Sequence, residues 1–190
     1  MPYSIEEHKH RFAAWAAATA ASVKGCRFAV QQGNEVLEAA GMKKVLRDAD
    51  RLPAPERMDA THRQWRHRVV KAAEEIGLQF SHGIAAKLLN VYLKAGFVCA
   101  GCNDHPSVRA LHPPIDSVLL ETLCEKNAGG LRDEWIKAKR ARWSKFTSDQ
   151  YEAVIKSIRQ TMADAPLWGV EEHWQGYRPH AARRRPRAGM

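Results

Sequence analysis

Residues 80–122 read FSHGIAAKLLNVYLKAGFVCAGCNDHPSVRALHPPIDSVLLET, and the rest of the 190-residue chain is read outward from them. The turn Ser81-His82-Gly83 opens an amphipathic helix predicted over residues 84–95. Lys87, Asn90 and Lys94 recur at helical spacing and share one face. Ile84, Leu88, Val91 and Ala95 form an apolar stripe beside that face. A loop rich in Gly, Cys and His follows over 96–115 and ends in Pro113-Pro114, which aims Asp116 into a helix predicted over 117–126. Free N–H groups at a helix start favour a carboxylate there. A lysine near a helix start, facing a second lysine, is a setting in which an amine serves as a nucleophile. Lys87 and Asp116 are therefore the candidate catalytic pair. The same spacing equally describes a surface lysine and a plain helix cap.

The remainder reads as helices. Ser4 and Glu7 form a capping box for a helix running to about Val23, with Phe12, Trp15, Ala16 and Thr19 on one face. Residues 26–33 suit a short extended piece, Asn34 caps a helix from Glu35 to about Ala40, and another short helix falls over Lys43–Asp50. Pro53 and Pro55 mark a loop. Asp59 or Thr61 caps a helix from Arg63 to about Ile76; Trp65, Val69, Ala72, Ala73 and Ile76 form its apolar face, and Arg63, Arg66, His67 and Lys71 a solvated or phosphate-contacting one. Trp135 to Trp143 reads as a basic helix or irregular arm. Thr147 caps a helix over Ser148–Met162 that buries Tyr151, Val154, Ile155 and Ile158, and Pro166 starts a last short helix. The fold class is all-α. Residues 1–176 form one domain with a core at about 60–126, and 177–190 form a disordered basic tail.

The order of these motifs resembles the helix-hairpin-helix DNA glycosylase superfamily, in particular the small bacterial proteins with an 8-oxoguanine DNA glycosylase fold. The residues that carry the resemblance are Gly83…Lys87, Pro114-Ile115-Asp116, Trp143…Tyr151 and Glu171-Glu172-His173-Trp174, spread over about 60–175. The resemblance implies duplex DNA as partner, no cofactor, and base excision on an extruded nucleotide. Lys87 would attack the sugar C1′ and Asp116 would assist departure of the base. It also implies phosphate contacts from the hairpin residues Ser81, His82 and Gly83, with Asn90 and Lys94 further along the helix. The chain departs from the pattern in having one hairpin glycine instead of two and a longer spacing from Gly83 to Lys87.

The net charge of +9 suits a polyanionic partner, but Arg178, Arg183, Arg184, Arg185 and Arg187 in the tail account for five of those charges, leaving +4 on the body. Lys139, Arg140 and Arg142, interleaved with Trp135 and Trp143, are candidate nucleic-acid contacts. The alternative is an amphipathic helix with a charged outer face. Cys99-Ala-Gly-Cys102 with His105 and His112 is a conceivable zinc knuckle, read otherwise as a plain loop; Cys26 and Cys124 read as core residues. No metal is expected at the favoured site. No apolar run approaches a membrane span, and the alanine-rich 12–23 stretch, preceded by Glu6 and Glu7, is weak as a leader, so the expected location is cytoplasmic. A non-catalytic module of the same fold, binding nucleic acid or a protein, is the other functional expectation.

Overall fold

The computed structural model describes residues 3–176. Its helices are α1 (Ile5–Ala21), α2 (Val30–Ala39), α3 (Met42–Val45), α4 (Met58–Glu75), α5 (His82–Leu93), α6 (Pro106–Arg109), α7 (Ser117–Glu125), α8 (Arg132–Ala141) and α9 (Ser148–Met162). Short 3-10 turns join several of them, and no strand is present among the described residues. The all-α expectation holds for this part of the chain. Residues 177–190, where the tail was expected, lie outside the described residues.

Helix α5 is the axis of the molecule. The Ser81 hydroxyl caps it by accepting the Ile84 N–H at 3.1 Å. All but His82 and Val91 of its residues are buried. Ile84, Ala85, Leu88, Leu89, Tyr92 and Leu93 join a core shared with α1, α2 and α4. Ala86 faces a second core built from α7, α8 and α9 around Trp135. Trp143 packs against both cores at their junction.

Several readings are corrected. The predicted loop after residue 95 is instead a π-helical continuation, Lys94–Cys102, ended by Gly101 at φ 87°. Together with α5 it makes one 21-residue helix, His82–Cys102, whose most apolar 18-residue window has a mean hydropathy of 1.3, long and apolar enough to cross a bilayer; 67% of that window is buried, as in a core helix. On α1 the buried face is His10, Ala13, Ala14, Ala17, Ala18 and Ala21, whereas Phe12 and Trp15 are 57% and 52% exposed. Small alanines let the α1 backbone approach α5 closely, and an aromatic ring in their place would hold the helices apart. Helix α2 starts at Val30, where Gln32 accepts the Ala29 N–H at 2.9 Å, so Asn34 lies inside the helix instead of capping it.

Where the capping residue acts within its own turn, expectation and structure agree. Ser4 accepts the Glu7 N–H at 3.2 Å, Asp116 the Leu119 N–H at 2.9 Å, and Thr147 the Gln150 N–H at 3.2 Å. The α4 reading needs revision, because the helix already starts at Met58 with no side-chain cap. Arg66, expected on its outer face, is fully buried. Its guanidinium lies 4.4 Å from the Tyr151 ring centroid and donates to Ser148 at 2.9 Å and Glu152 at 2.7 Å.

Candidate functional site

Lys87 projects from the middle of α5 into the seam between the two cores, with 7% of its side chain exposed. Its Nζ donates to Asp116 Oδ2 at 2.9 Å and lies 5.8 Å from the Trp143 ring centroid. The two residues singled out as a catalytic pair are thus in direct contact. Asp116 is held from three sides. Oδ1 caps α7 at Leu119, while Oδ2 also accepts the Trp174 indole N–H at 2.9 Å. That carboxylate is locked in one orientation.

A second ion pair borders the first. Lys94, two turns along the same helix face, donates to Glu171 Oε2. The other carboxylate oxygen, Oε1, is buried with no partner. Burial lifts the Glu171 carboxyl above the usual range; Lys94 and Lys87 pull against that, and Asp116 reinforces it. Two amines and two carboxylates are therefore neighbours; Lys87, Asp116 and Glu171 lie mostly out of water, with Trp143 over Lys87 and Trp174 on Asp116, whereas 36% of the Lys94 side chain is exposed. Chemically, this offers a buried amine, an oriented carboxylate beside it, and a second carboxyl that binds a proton more readily than an exposed glutamate.

Glu171 and Trp174 were absent from the sequence-derived site. The only signal for them was the Glu171–Trp174 segment, which no local spacing ties to Lys87.

The remaining candidates are placed as follows. Asn90 is 1% exposed and spends its amide inside the fold, so it is not available to a phosphate. The hairpin is closed as well. Gly83 donates its N–H to the Phe146 carbonyl at 3.3 Å, and Ser81 Oγ donates to the Ser144 carbonyl at 2.8 Å. His82 packs edge-on against His67 at 4.9 Å, and burial holds its imidazole below its usual range. The exposed phosphate-gripping turn expected from Ser81, His82 and Gly83 is replaced by a turn docked under Trp143–Lys145. Lys139, Arg140 and Arg142 are exposed at the end of α8, whereas Trp135 is fully buried, its indole N–H donating to the Ala128 carbonyl at 2.9 Å. The basic residues form a charged outer face, not one interleaved with stacking rings.

The cysteine-histidine set does not converge. Cys99 is exposed and Cys102 half-buried in the π-helical turn, His105 caps α6 and meets Asp50, and both ring nitrogens of His112 are engaged by Tyr151 and Asp59. Among the described residues no group of three or more His, Cys, Asp or Glu side chains is arranged to hold a metal ion. Protein prepared without chelator is expected to carry well under one zinc per chain by elemental analysis; a stoichiometric value would overturn this arrangement of the loop. Of the other two, Cys124 is buried as expected, whereas Cys26 is only half-buried. An open cleft of about 390 Å³ lined by Pro106, Arg109, Arg159 and Leu167 includes neither Lys87 nor Asp116 in its walls.

No protein-family model, no curated protein and no solved structure matches the chain.

Proposed function

We propose that the chain binds duplex DNA and excises a base, with Lys87 as nucleophile and Asp116 as its carboxylate partner. The observation that carries this reading is the 2.9 Å contact between a lysine amine and an oriented aspartate, both set in a seam that excludes most water. In the reaction the Lys87 nitrogen lone pair forms a bond to the sugar C1′. The N-glycosidic bond breaks and its electron pair leaves with the base, which takes up a proton. Asp116 stabilises positive charge on the sugar as that bond weakens, and Lys87 becomes an imine once the sugar ring opens. The proton that the Lys87 ammonium must shed before attack passes to Asp116, its hydrogen-bond partner, and from there to solvent. Lys139, Arg140 and Arg142 supply exposed positive charge for phosphates, and the sequence adds five arginines over 178–187. The helix-hairpin-helix glycosylase-like architecture and action on intracellular DNA belong to this same proposal.

A second reading has its own support. The Gly83 N–H and Ser81 hydroxyl are consumed within the fold, which suits a non-catalytic module that keeps the helices and binds nucleic acid or protein through another face. Borohydride trapping separates the two. Wild-type protein is incubated with duplexes bearing an oxidised base, a deaminated base or an abasic site, and reduced. The catalytic reading expects a covalent protein–DNA adduct on at least one duplex. DNA binding without adduct or strand break on every duplex gives the second reading.

A further inference from the structure

A chain of side chains, buried from Arg66 to His112 and ending on the exposed Asp59, runs beside the site, and the direction of every proton in it is fixed by its ends. At one end Arg66 can only donate. Its Nη1 lies 3.1 Å from His62 Nδ1, so that nitrogen carries the lone pair. The His62 proton therefore sits on Nε2 and is donated to Asn90 Oδ1 at 2.7 Å. The Asn90 amide then donates twice, to the Pro113 carbonyl at 2.8 Å and to the Tyr151 hydroxyl at 2.9 Å. Tyr151, having accepted, passes its own proton to His112 Nδ1 at 3.1 Å. His112 Nε2–H ends the chain on Asp59 Oδ1 at 2.8 Å. At that end Asp59 can only accept, and it also takes a bond from Arg159.

Asn90 is the branch point. It sits one turn after Lys87 on α5, and its amide holds the carbonyl of Pro113, three residues before Asp116. The chain thus ties the segment that presents Asp116 to the helix that presents Lys87. We propose that Asn90 positions the Pro113–Asp116 segment against Lys87, and that it does so only while His62 is neutral. This rests on the Lys87–Asp116 reading for its functional meaning but not for its test. A proton on His62 Nδ1 would point at the Arg66 guanidinium, donor against donor, and the ring could no longer keep both its contacts.

The groups facing the two histidines are Asp59 and Arg66 from α4, Asn90 from α5, and Tyr151, Glu152 and Arg159 from α9. The two histidine rings lie 4.2 Å apart between centroids, tilted by 35°. Burial holds both imidazoles below their usual range, for His62 with the charge of His112 and then Arg66 adding to it, for His112 against the opposing pull of Asp59. The His112 N–H bond in turn holds Asp59 well below the usual carboxylate range. With folded values depressed, the histidines contribute stability that is present above their unfolded value of about 6.5 and is lost as pH falls below it.

The Leu119 amide, capped by Asp116, reports whether Asp116 is in place, whether or not the protein is an enzyme. Its hydrogen exchange, corrected for the intrinsic pH dependence, is measured in full-length protein from about pH 5 to 8. Wild-type protection is expected to hold near neutrality and to fall about tenfold, the equivalent of one lost hydrogen bond, only towards the acid end of that range, because the buried His62 takes up a proton well below its usual range. His62→Gln, which keeps a donor to Asn90 and an acceptor for Arg66 but does not titrate, should shrink that acid limb to the part that His112 contributes. Asn90→Ala should lower protection at every pH while the Trp135 indole N–H in the second core is unaffected. If Asn90→Ala fails to fold, the wild-type and His62→Gln profiles decide alone. Protection that ignores pH in the wild type, or an acid limb that survives undiminished in His62→Gln, overturns the inference whatever the trapping assay gives. Protection that follows the expectation while no DNA gives an adduct upholds the positioning role and rejects the chemistry.

Discussion

Lys87→Gln is expected to abolish the trapped adduct while leaving DNA affinity within about a factor of three, because one charge is a small part of a many-phosphate interface. Asp116→Asn should keep the α7 cap, since asparagine accepts the Leu119 N–H as well as aspartate does. It should nonetheless slow base release by roughly a hundredfold or more, the scale of losing a positioned charged group in catalysis. The difficulty is that both residues also hold the fold together. Removing one partner of a buried ion pair strands the other and costs about 3–5 kcal/mol. Asp116 keeps 18% of its side chain exposed, so the low end of that range is expected. The double variant Lys87→Met/Asp116→Asn removes both charges together. It should recover most of the stability lost by Asp116→Asn alone and recover none of the adduct. Denaturant unfolding alongside the trapping assay makes the distinction. Adduct loss that merely tracks the unfolded fraction would reduce the pair to a structural tie.

How much of this was legible in the sequence depends on the range of the interaction. The caps at Ser4, Asp116 and Thr147 act within their own helical turn, so residue type and position suffice to read them. The helical class follows from apolar spacing for the same reason. The buried face of α1 was not legible because alanine is weakly apolar and two aromatics dominate any hydrophobicity count. What chose the buried side was the closeness of the α5 backbone, which is not written in α1. Gly96 misled in a similar way. It reads as a loop glycine, yet it lies in the π-helical turn where a Cβ would stand 2.0 Å from Leu46 Cδ1. The burial of Arg66 depends on Ser148 and Glu152, more than eighty residues away, and that of Glu171 on Lys94, 77 residues away. Nothing in either local sequence announces such a partner. Arg66 therefore read as solvated, and Glu171 as the end of a motif. Lys87 and Asp116 were paired by order of motifs and by the proline-fixed turn between them, and the contact followed.

Gly83→Ala tests why that turn has its glycine. In the helix-hairpin-helix reading, a hairpin glycine exposes backbone N–H groups to a phosphate. Here a Cβ on Gly83 would stand 1.7 Å from the Trp143 carbonyl oxygen and 2.9 Å from its carbon. Those are backbone atoms, and no rotamer change relieves them. The Trp143–Lys145 turn would have to lift by more than an ångström. Lifting it weakens the Gly83 N–H bond to Phe146 and the Ser81 bond to Ser144, and withdraws the Trp143 ring from Lys87. The cost should be about 3 kcal/mol, the upper end for forcing an extra methyl into a packed site. At this chain length that lowers the melting temperature by roughly 6–12 °C. Gly169→Ala is the matched control. Its Cβ would meet only the Met162 methyl at 3.0 Å, the free end of a flexible side chain, and the change should cost under about 1 kcal/mol. A Gly83→Ala protein as stable as the control, with weakened DNA binding, would return the hairpin to the surface. A destabilised protein whose folded fraction still binds DNA normally would show that the glycine serves the docking of Trp143 over the site, and that any phosphate grip in this chain lies elsewhere, first of all on the exposed cations Lys139, Arg140 and Arg142.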